Sequence, residues 1–310
     1  MSGQTSPISR LGAWWRLGRP FTMVAPALGM VSGACTAFGS NGGRQFAWWM
    51  VFNALGGAFF AALLNSASNI LNQITDLDAD RINKPGRPIP SGLVSVREAW
   101  VLAISGYVLA MVVAWAVTMP GTYYACFLCA IIAAAATWVY SAPPFRTKAL
   151  GGWANVTIAL PRGLFLKVAG WSLIIAPNTP ESWYIGGVFF LFLLGASSTK
   201  DFADMKGDAA AGCRTLPVVY GVKKTAWMIA PSFVLPFLML PIGVHEHILT
   251  GNPAALDVLG AGLAAWGAYV VWLMLRRPEE LATGENHVSW KHMYLMMFVM
   301  QVGFAVAYLI

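Results

Sequence analysis

Charge is scarce in this chain: of 310 residues only 11% are charged, and just 13 are acidic, while 57% are hydrophobic. An average soluble domain has roughly 25% charged residues, so the composition excludes that class and implies an integral membrane protein. Cysteine is equally sparse. Of the four, Cys126 and Cys129 form a C-x-x-C inside the apolar stretch "YYACFLCAIIAAAA" with no second ligand pair, which excludes a disulfide framework and leaves packing as their role. The histidines number four, and the H-x-H of His245 and His247 stands without further ligands, so a solvated loop is expected there rather than a metal site. Linkers and low-complexity segments are absent, which predicts a single domain over 1–310. The net charge of +7 comes without any basic–aromatic constellation, so no nucleic-acid partner is expected.

What is abundant is apolar sequence in lengths of about twenty residues, the length that crosses a bilayer as helix. Nine such spans are expected, near 22–40, 46–70, 98–118, 121–140, 153–175, 183–199, 225–244, 255–275 and 292–310. The expected fold is therefore all-α, about nine transmembrane helices in one bundle around a central cavity. The first residues, "MSGQTSPISRLGAWW", lack the pattern of a cleaved signal, so the first span is expected to stay. Lys and Arg favour cytoplasmic loops. Here they concentrate at the N-terminus, where Arg16 and Arg19 precede the first span, and in the loops after the even-numbered spans, whereas the opposite loops hold essentially only Arg44. A multi-pass protein with a cytoplasmic N-terminus follows, in the plasma (inner) membrane, with membrane lipids around it and the functional side facing the cytoplasm.

The few acids cluster on that basic side. "LNQITDLDADRINKPGRPIPSG", residues 71–92, follows one apolar run directly, and "SSTKDFADMKGDAAAGCRTLPVVYG", residues 197–221, follows another. Asp76 and Asp204 are 128 residues apart, as are Asp80 and Asp208, while Arg87 and Arg214, like Pro90 and Pro217, are 127 apart. An internal repeat explains this, and it predicts two similar helix ends facing each other across one cavity. Residues four apart share a helix face, so Asn65, Asn69, Asn72, Asp76 and Asp80 form a polar stripe that starts inside the membrane, and Asp201, Asp204 and Asp208 form a second. Carboxylates gathered in one pocket repel unless a cation neutralises them. Magnesium suits the task, since it takes a few carboxylates together with phosphate oxygens. Arg87, Arg146, Lys148, Lys200 and Arg214 stand close by in sequence to contact the oxygens left over. Acids and bases at a membrane boundary suggest a lipid diphosphate.

At these residues the sequence resembles the UbiA family of intramembrane prenyltransferases. The resemblance rests on Asn72, Asp76, Asp80 and Asn83 followed by Arg87-Pro-Ile-Pro-Ser-Gly92, on Asp201, Asp204, Gly207 and Asp208 followed by Thr215-Leu-Pro217, and on "YSAPPFRTK", which supplies Tyr140, Arg146 and Lys148. It implies Mg2+-dependent transfer of a polyprenyl group from a prenyl diphosphate to a hydrophobic acceptor. Asp76, Asp80, Asp204 and Asp208 would be catalytic and, with Asp201, would hold the metal. Asn72, Arg87, Tyr140, Arg146, Lys148, Lys200 and Arg214 would bind the diphosphate. Asn69, Gln73, Asn155 and Arg162 would line the acceptor site or cavity. One departure is Gln73, where the family usually has Asp; members acting on homogentisate-type acceptors also carry Asn-Gln here. The expected acceptor is accordingly an aromatic quinone or tocopherol precursor, homogentisate- or hydroxybenzoate-like, with a chlorophyllide or glycerol-phosphate ether as the alternative.

Span five carries two further bases, Arg162 and Lys167, and Trp153, Trp171 and Trp183 are expected as interface anchors. Membrane phosphatidyltransferases also use Asp clusters, but their D-G-x-x-A-R order is missing. A secondary transporter would explain the repeat, yet it gives no reason for paired acids beside R-P-I-P-S-G.

Overall fold

In the hydrocarbon of a membrane every backbone N–H and C=O must find its partner inside the segment, which leaves helices as the solution for sequences of this kind. The computed structural model describes residues 9–283 and 287–310, and among them every regular element is helical. In chain order these are α1 (Arg10–Gly18), α2 (Val24–Gly39), α3 (Trp48–Thr75), α4 (Leu77–Asn83), α5 (Val96–Ala116), α6 (Ala125–Ser141), α7 (Gly152–Ala159), α8 (Leu166–Trp171), α9 (Pro180–Ala196), α10 (Asp201–Ala210), α11 (Leu216–Tyr220), α12 (Val222–Ile229), α13 (Leu235–His245), α14 (Pro253–Arg276) and α15 (Val288–Leu309). Short 3-10 turns weld some of them into longer rods, so that seven stretches are long and apolar enough to cross a membrane: Pro20–Gly42, Trp48–Thr75, Val96–Ala116, Pro180–Ala210, Val222–His245, Pro253–Arg276 and Val288–Leu309. The expected count of nine is therefore approximate: among the described residues the fourth expected span is the shorter α6, and the fifth is the interrupted rod α7–α8, whose middle, Leu160–Phe165, is a π turn carrying Pro161 and Arg162.

Because lipid is as apolar as leucine, helices in a membrane associate through close packing rather than through water exclusion, and small residues let the backbones approach. Gly33 on α2 faces Gly170 on α8 so closely that a Cβ on either would sit within 3.0 Å of the other glycine's Cα. The α3–α5 pair uses Ala67 against Gly106, with Ala99, Ala103 and Ala110 buried beside them. Val101, Val108 and Val112 point outward from α5 to the lipid. Phe189, Phe192, Phe233, Phe237 and Phe304 fill the centre. Trp153 and Trp183 are exposed as expected of interface residues, but Trp171 is only 1% exposed and belongs to this core, because the end of α8 is enclosed by its neighbours.

Two long helices carry the acids out of the bundle. The 28 residues of α3 extend about 42 Å, more than the roughly 30 Å hydrocarbon layer, so its last turns lie at the boundary. The chain does not stop at Asp76. Its N–H still donates to the Asn72 carbonyl (2.9 Å) and its own carbonyl accepts from Asp80 (2.8 Å), so α3 passes into α4 through a bend rather than a loop. Likewise α9 runs through Ser197–Lys200 into α10. The two short helices then meet side by side: Asn83 donates to the Asp204 carbonyl (3.1 Å) and accepts from the Gly207 amide (2.9 Å). Gly207 is required there, since a Cβ would lie 2.3–2.5 Å from the Asn83 amide.

Candidate active site

The carboxylates of α4 and α10 open into one cavity of about 620 Å³. Asp76, Asp80, Asp201, Asp204 and Asp208 all line it, together with seven basic side chains: Arg16, Arg19, Lys84, Arg87, Lys148, Arg162 and Lys200. The balance of charge on its walls is therefore positive, and an anionic ligand is the one such walls attract.

Each element delivers its group for a local reason. Arg87 begins the R-P-I-P-S-G turn, which is closed by hydrogen bonds from Ser91 N to Arg87 O (3.0 Å) and from Val94 N to Pro88 O (3.0 Å). Ile89 and Val94 anchor that turn in a small apolar cluster with Ala13, Leu17, Ile70, Ala99 and Ala103. Arg87 is thereby held with Nη1 2.6 and 2.5 Å from the two Asp80 oxygens. Lys84 donates to both oxygens of Asp204 at 2.5 and 2.8 Å, tying the first acid segment to the second. Lys148 bridges the two as well, 2.5 Å from Asp76 and 3.8 Å from Asp208, while Arg146 reaches Asp76 at 3.3 Å. Burial pushes the Asp80 pKa above its ordinary value, and the Arg87 charge and hydrogen bond only partly pull it back. For Lys148 burial acts toward the neutral amine, but Asp76 and then Tyr140 and Asp208 outweigh it and hold the ammonium's pKa above normal.

Most residues expected at the site converge here. Asn69, Asn72, Gln73, Tyr140, Arg162 and Lys200 line the same cavity as the acids, and Lys200 lies 5.9 Å over the Tyr140 ring. The Asn72 Nδ2 is buried without a protein partner, which leaves a donor available to a ligand. Four expectations need correction. Arg146 is absent from the cavity wall and turns its guanidinium to the Thr75 carbonyl (3.4 Å) and Asp76 (3.3 Å), so it supports that acid from behind. Arg214 is exposed, is absent from the cavity wall, and contributes through its backbone N–H, which donates to Ala149 (3.3 Å) and braces the turn that carries Lys148. Asn155 lies off the cavity too. Its amide donates to Leu194 O and Ser198 Oγ, both at 2.7 Å, and so ties α7 to the α9–α10 rod. The polar stripe on α3 is really two stripes: Asn72, Asp76 and Asp80 offer their functional groups to the cavity, whereas Asn65, Asn69 and Gln73 donate their amide hydrogens to backbone of the Leu17–Thr22 turn.

Sequence reasoning missed Arg16, Arg19, Lys84, Trp290 and Tyr294 as cavity residues. The first two were read only as topology signals and Lys84 only as part of the basic side; the two aromatics begin the last span, and no local signal sets them apart. Lys167, the other base of span five, is 2% exposed, donates to Ser32 Oγ (2.8 Å), stacks over Phe189 and lies outside the cavity lining.

The fold and the cavity together define an all-helical membrane protein with a polar chamber lined by acids and bases. The chain belongs to the UbiA prenyltransferase family, whose pattern matches residues 30–308. It is 31% identical over 245 residues, 75% of its own length, to 2-acyl-4-prenylphloroglucinol 6-prenyltransferase from Humulus lupulus, and it spans 57% of that relative's length. It is 28% identical to digeranylgeranylglyceryl phosphate synthase from Methanobrevibacter smithii, with 80% of this chain and 83% of that one covered. A UbiA homolog from Archaeoglobus fulgidus, solved bound to DMAPP and Mg2+, has the same fold with a TM-score of 0.72 at 20% identity, covering 96% of this chain and 99% of that one.

Proposed function

We propose that this protein transfers a polyprenyl group from its diphosphate to a hydrophobic acceptor dissolved in the membrane. The observation that carries the reading is the convergence of both acid segments and seven bases on one cavity at the end of a membrane-length bundle. Among the described residues no three Asp, Glu, His or Cys side chains converge into a cage for a metal. Magnesium does not need one, because it binds through one or two carboxylates and completes its shell with water and phosphate oxygens. The hard oxygen donors of Asp76, Asp80, Asp201, Asp204 and Asp208 fit that mode, while the unpartnered Asn72 N–H beside them suits a phosphate oxygen rather than the metal. When bound, Mg2+ would supply charge neutralisation for the departing diphosphate.

The protein's own groups supply the rest. Lys84, Arg87, Lys148 and Lys200, already aimed into the cavity, give charge-assisted hydrogen bonds to phosphate oxygens, with Arg146 behind Asp76 and the Asn72 and Tyr140 side chains alongside. As the allylic carbon–oxygen bond breaks, its electron pair leaves with the diphosphate and the carbon becomes cationic. The aromatic faces of Trp290 and Tyr294 on the same cavity wall can stabilise a cation. A smaller apolar cavity of about 80 Å³ adjoins the first, lined by Leu166, Leu193, Met293 and Met297, and gives the prenyl chain a path away from water. The acceptor carbon or oxygen then forms the new bond and gives up its proton, which the released diphosphate can take, with Arg162, which borders both cavities, available to an anionic acceptor.

The acceptor proposed is an aromatic quinone or tocopherol precursor, homogentisate- or hydroxybenzoate-like, a reading supported by the Humulus relative and by Gln73. The cytoplasmic face of the plasma membrane is the proposed setting, supported by the bias of Lys and Arg toward the loops that carry the acids. The test is turnover by purified protein in nanodiscs, offering geranyl to geranylgeranyl diphosphates with a panel of acceptors, with and without magnesium, and reading products by mass spectrometry. Magnesium-dependent prenylation of an aromatic ring is expected. Prenylation of a glycerol-phosphate ether instead would keep the chemistry and replace the acceptor, and no binding of any prenyl diphosphate would remove the reading.

A further inference from the structure

Arg19 lines the cavity with its backbone held in the left-handed region, at φ 57° and ψ 66°. A residue with a side chain adopts that conformation at a cost, and it persists only where the surroundings over-determine it. Here they do. Thr22 N and Thr22 Oγ1 both donate to the Arg19 carbonyl, at 2.9 and 2.8 Å. Asn65 donates to Thr22 O and Oγ1 (3.1 Å each), Asn69 to Thr22 Oγ1 (2.8 Å) and Gly18 O (3.2 Å), and Gln73 to Leu17 O (2.7 Å). Three successive amides on one face of α3, all 9% exposed or less, thus grip both ends of a six-residue turn, at Leu17, Gly18 and Thr22. A loop that merely needed to follow α1 into α2 would not require so many.

What the grip delivers is the Arg19 side chain. It lines the cavity, and among the described residues no carboxylate lies within ion-pair distance of it, in contrast to Lys84, Arg87 and Lys148. Burial lowers its pKa and the neighbouring charges of Arg87 and Arg162 lower it further, while Tyr294 and Asp80 only partly offset them, so an oxyanion beside it would relieve the burial of this cation.

We propose that Asn65, Asn69, Gln73 and Thr22 are positioning residues that act through the 17–22 turn to hold Arg19 over the cavity, where its guanidinium binds an oxyanion of a substrate. The inference rests on the prenyl-transfer reading. The oxyanion is a phosphate of the prenyl diphosphate or the anionic group of the acceptor, and two measurements separate them: the Kd of geranylgeranyl diphosphate with magnesium in the absence of acceptor, and the KM of the acceptor.

The test is a double-mutant cycle of Arg19→Gln with Gln73→Met, which keeps the side-chain length and removes the donor. Loss of a charge-assisted hydrogen bond raises the affected constant by about tenfold or more in Arg19→Gln. Gln73→Met raises the same constant and adds less than about twofold on top of Arg19→Gln, because it acts through that residue. A rise in the diphosphate Kd assigns Arg19 to the phosphate; a rise in the acceptor KM alone assigns it to the acceptor. Effects of the two substitutions that multiply independently, or constants that do not move in Arg19→Gln, overturn the proposal, since a turn that only staples α1 to the bundle would change thermal stability and not these constants. If either variant fails to fold, Arg19→Gly, in which a positive φ carries no penalty, and Thr22→Val, which removes the shared hydroxyl, take their places under the same criterion. Wild-type protein that binds no prenyl diphosphate removes both this inference and the function it rests on, whereas an active wild type with an additive cycle removes the inference alone.

Discussion

The two acid segments are alike in spacing and unlike in what holds them. Asp76 is 3% exposed and receives two cations, Lys148 and Arg146, both from the loop between α6 and α7. Asp204 shares one cation, Lys84, which comes from the first segment, and the side chains of that pair are about one-fifth exposed. Asp76 therefore acts as the buried anchor of the site and Asp204 as the more open face closed against it, although Asp208 is as buried as Asp76, and the two segments are joined by Lys148, by Lys84 and by the Asn83–Gly207 contact. A sequence repeat has become two halves with different mechanical duties.

Substitution of one acid in each segment sharpens this most. Asp76→Ala and Asp204→Ala are each expected to lower kcat by about 10³-fold or more, since in the proposed function each would help hold the Mg2+ that neutralises the leaving group. Their effects on stability should differ. Asp76→Ala leaves Lys148 buried without its nearest partner and is expected to destabilise by about 3–5 kcal/mol, whereas Asp204→Ala releases a lysine that already reaches solvent and is expected to cost less, about 1 kcal/mol. Denaturation of the two variants in matched detergent checks this, and equal losses would break the distinction between anchor and closing face.

Next in size is Lys148→Met, which touches both segments and should lower kcat/KM by about 10²-fold, read in steady-state turnover with saturating magnesium. Gly207→Ala would drive a methyl into the Asn83 amide; a loss of about 1–3 kcal/mol of stability is expected, together with reduced turnover as α4 and α10 separate. The smallest effect tests where the repeat stops. Arg87 and Arg214 occupy equivalent places in sequence, but only Arg87 reaches an acid. Arg214→Ala should change kcat/KM by less than about twofold, because among the described residues only its backbone N–H is engaged, while Arg87→Gln should cost about tenfold or more. Equal effects would show that the repeat extends to its arginines.

The same comparison explains what could be read without coordinates. Asp76, Asp80, Asp204 and Asp208 stood out because carboxylates are rare beside apolar helices and their helical spacing recurs at a constant offset. The seven long apolar stretches were legible from length and hydropathy, while the π turn at Leu160–Phe165 and the bend at Asp76 left no signal beyond a proline and a polar residue. Which way each polar residue turns was harder. Asn65, Asn69 and Gln73 are four apart, and so are Asn72, Asp76 and Asp80, so two neighbouring faces merge into one apparent stripe until the turn that one of them grips is known. Arg19, Lys84 and Arg214 show the same limit for bases: near the boundary every cation resembles a topology signal, and only tertiary contact tells a cavity residue from a solvated one.

The central claim is that both acid segments act together on one prenyl diphosphate. Its most direct test is calorimetric binding of geranylgeranyl diphosphate to the protein in nanodiscs, with and without magnesium, for wild type, Asp76→Asn and Asp204→Asn. Wild type is predicted to bind only with magnesium, and each single substitution is predicted to abolish that binding. A variant that lacks either carboxylate and still binds the diphosphate with wild-type affinity and magnesium dependence would contradict the account.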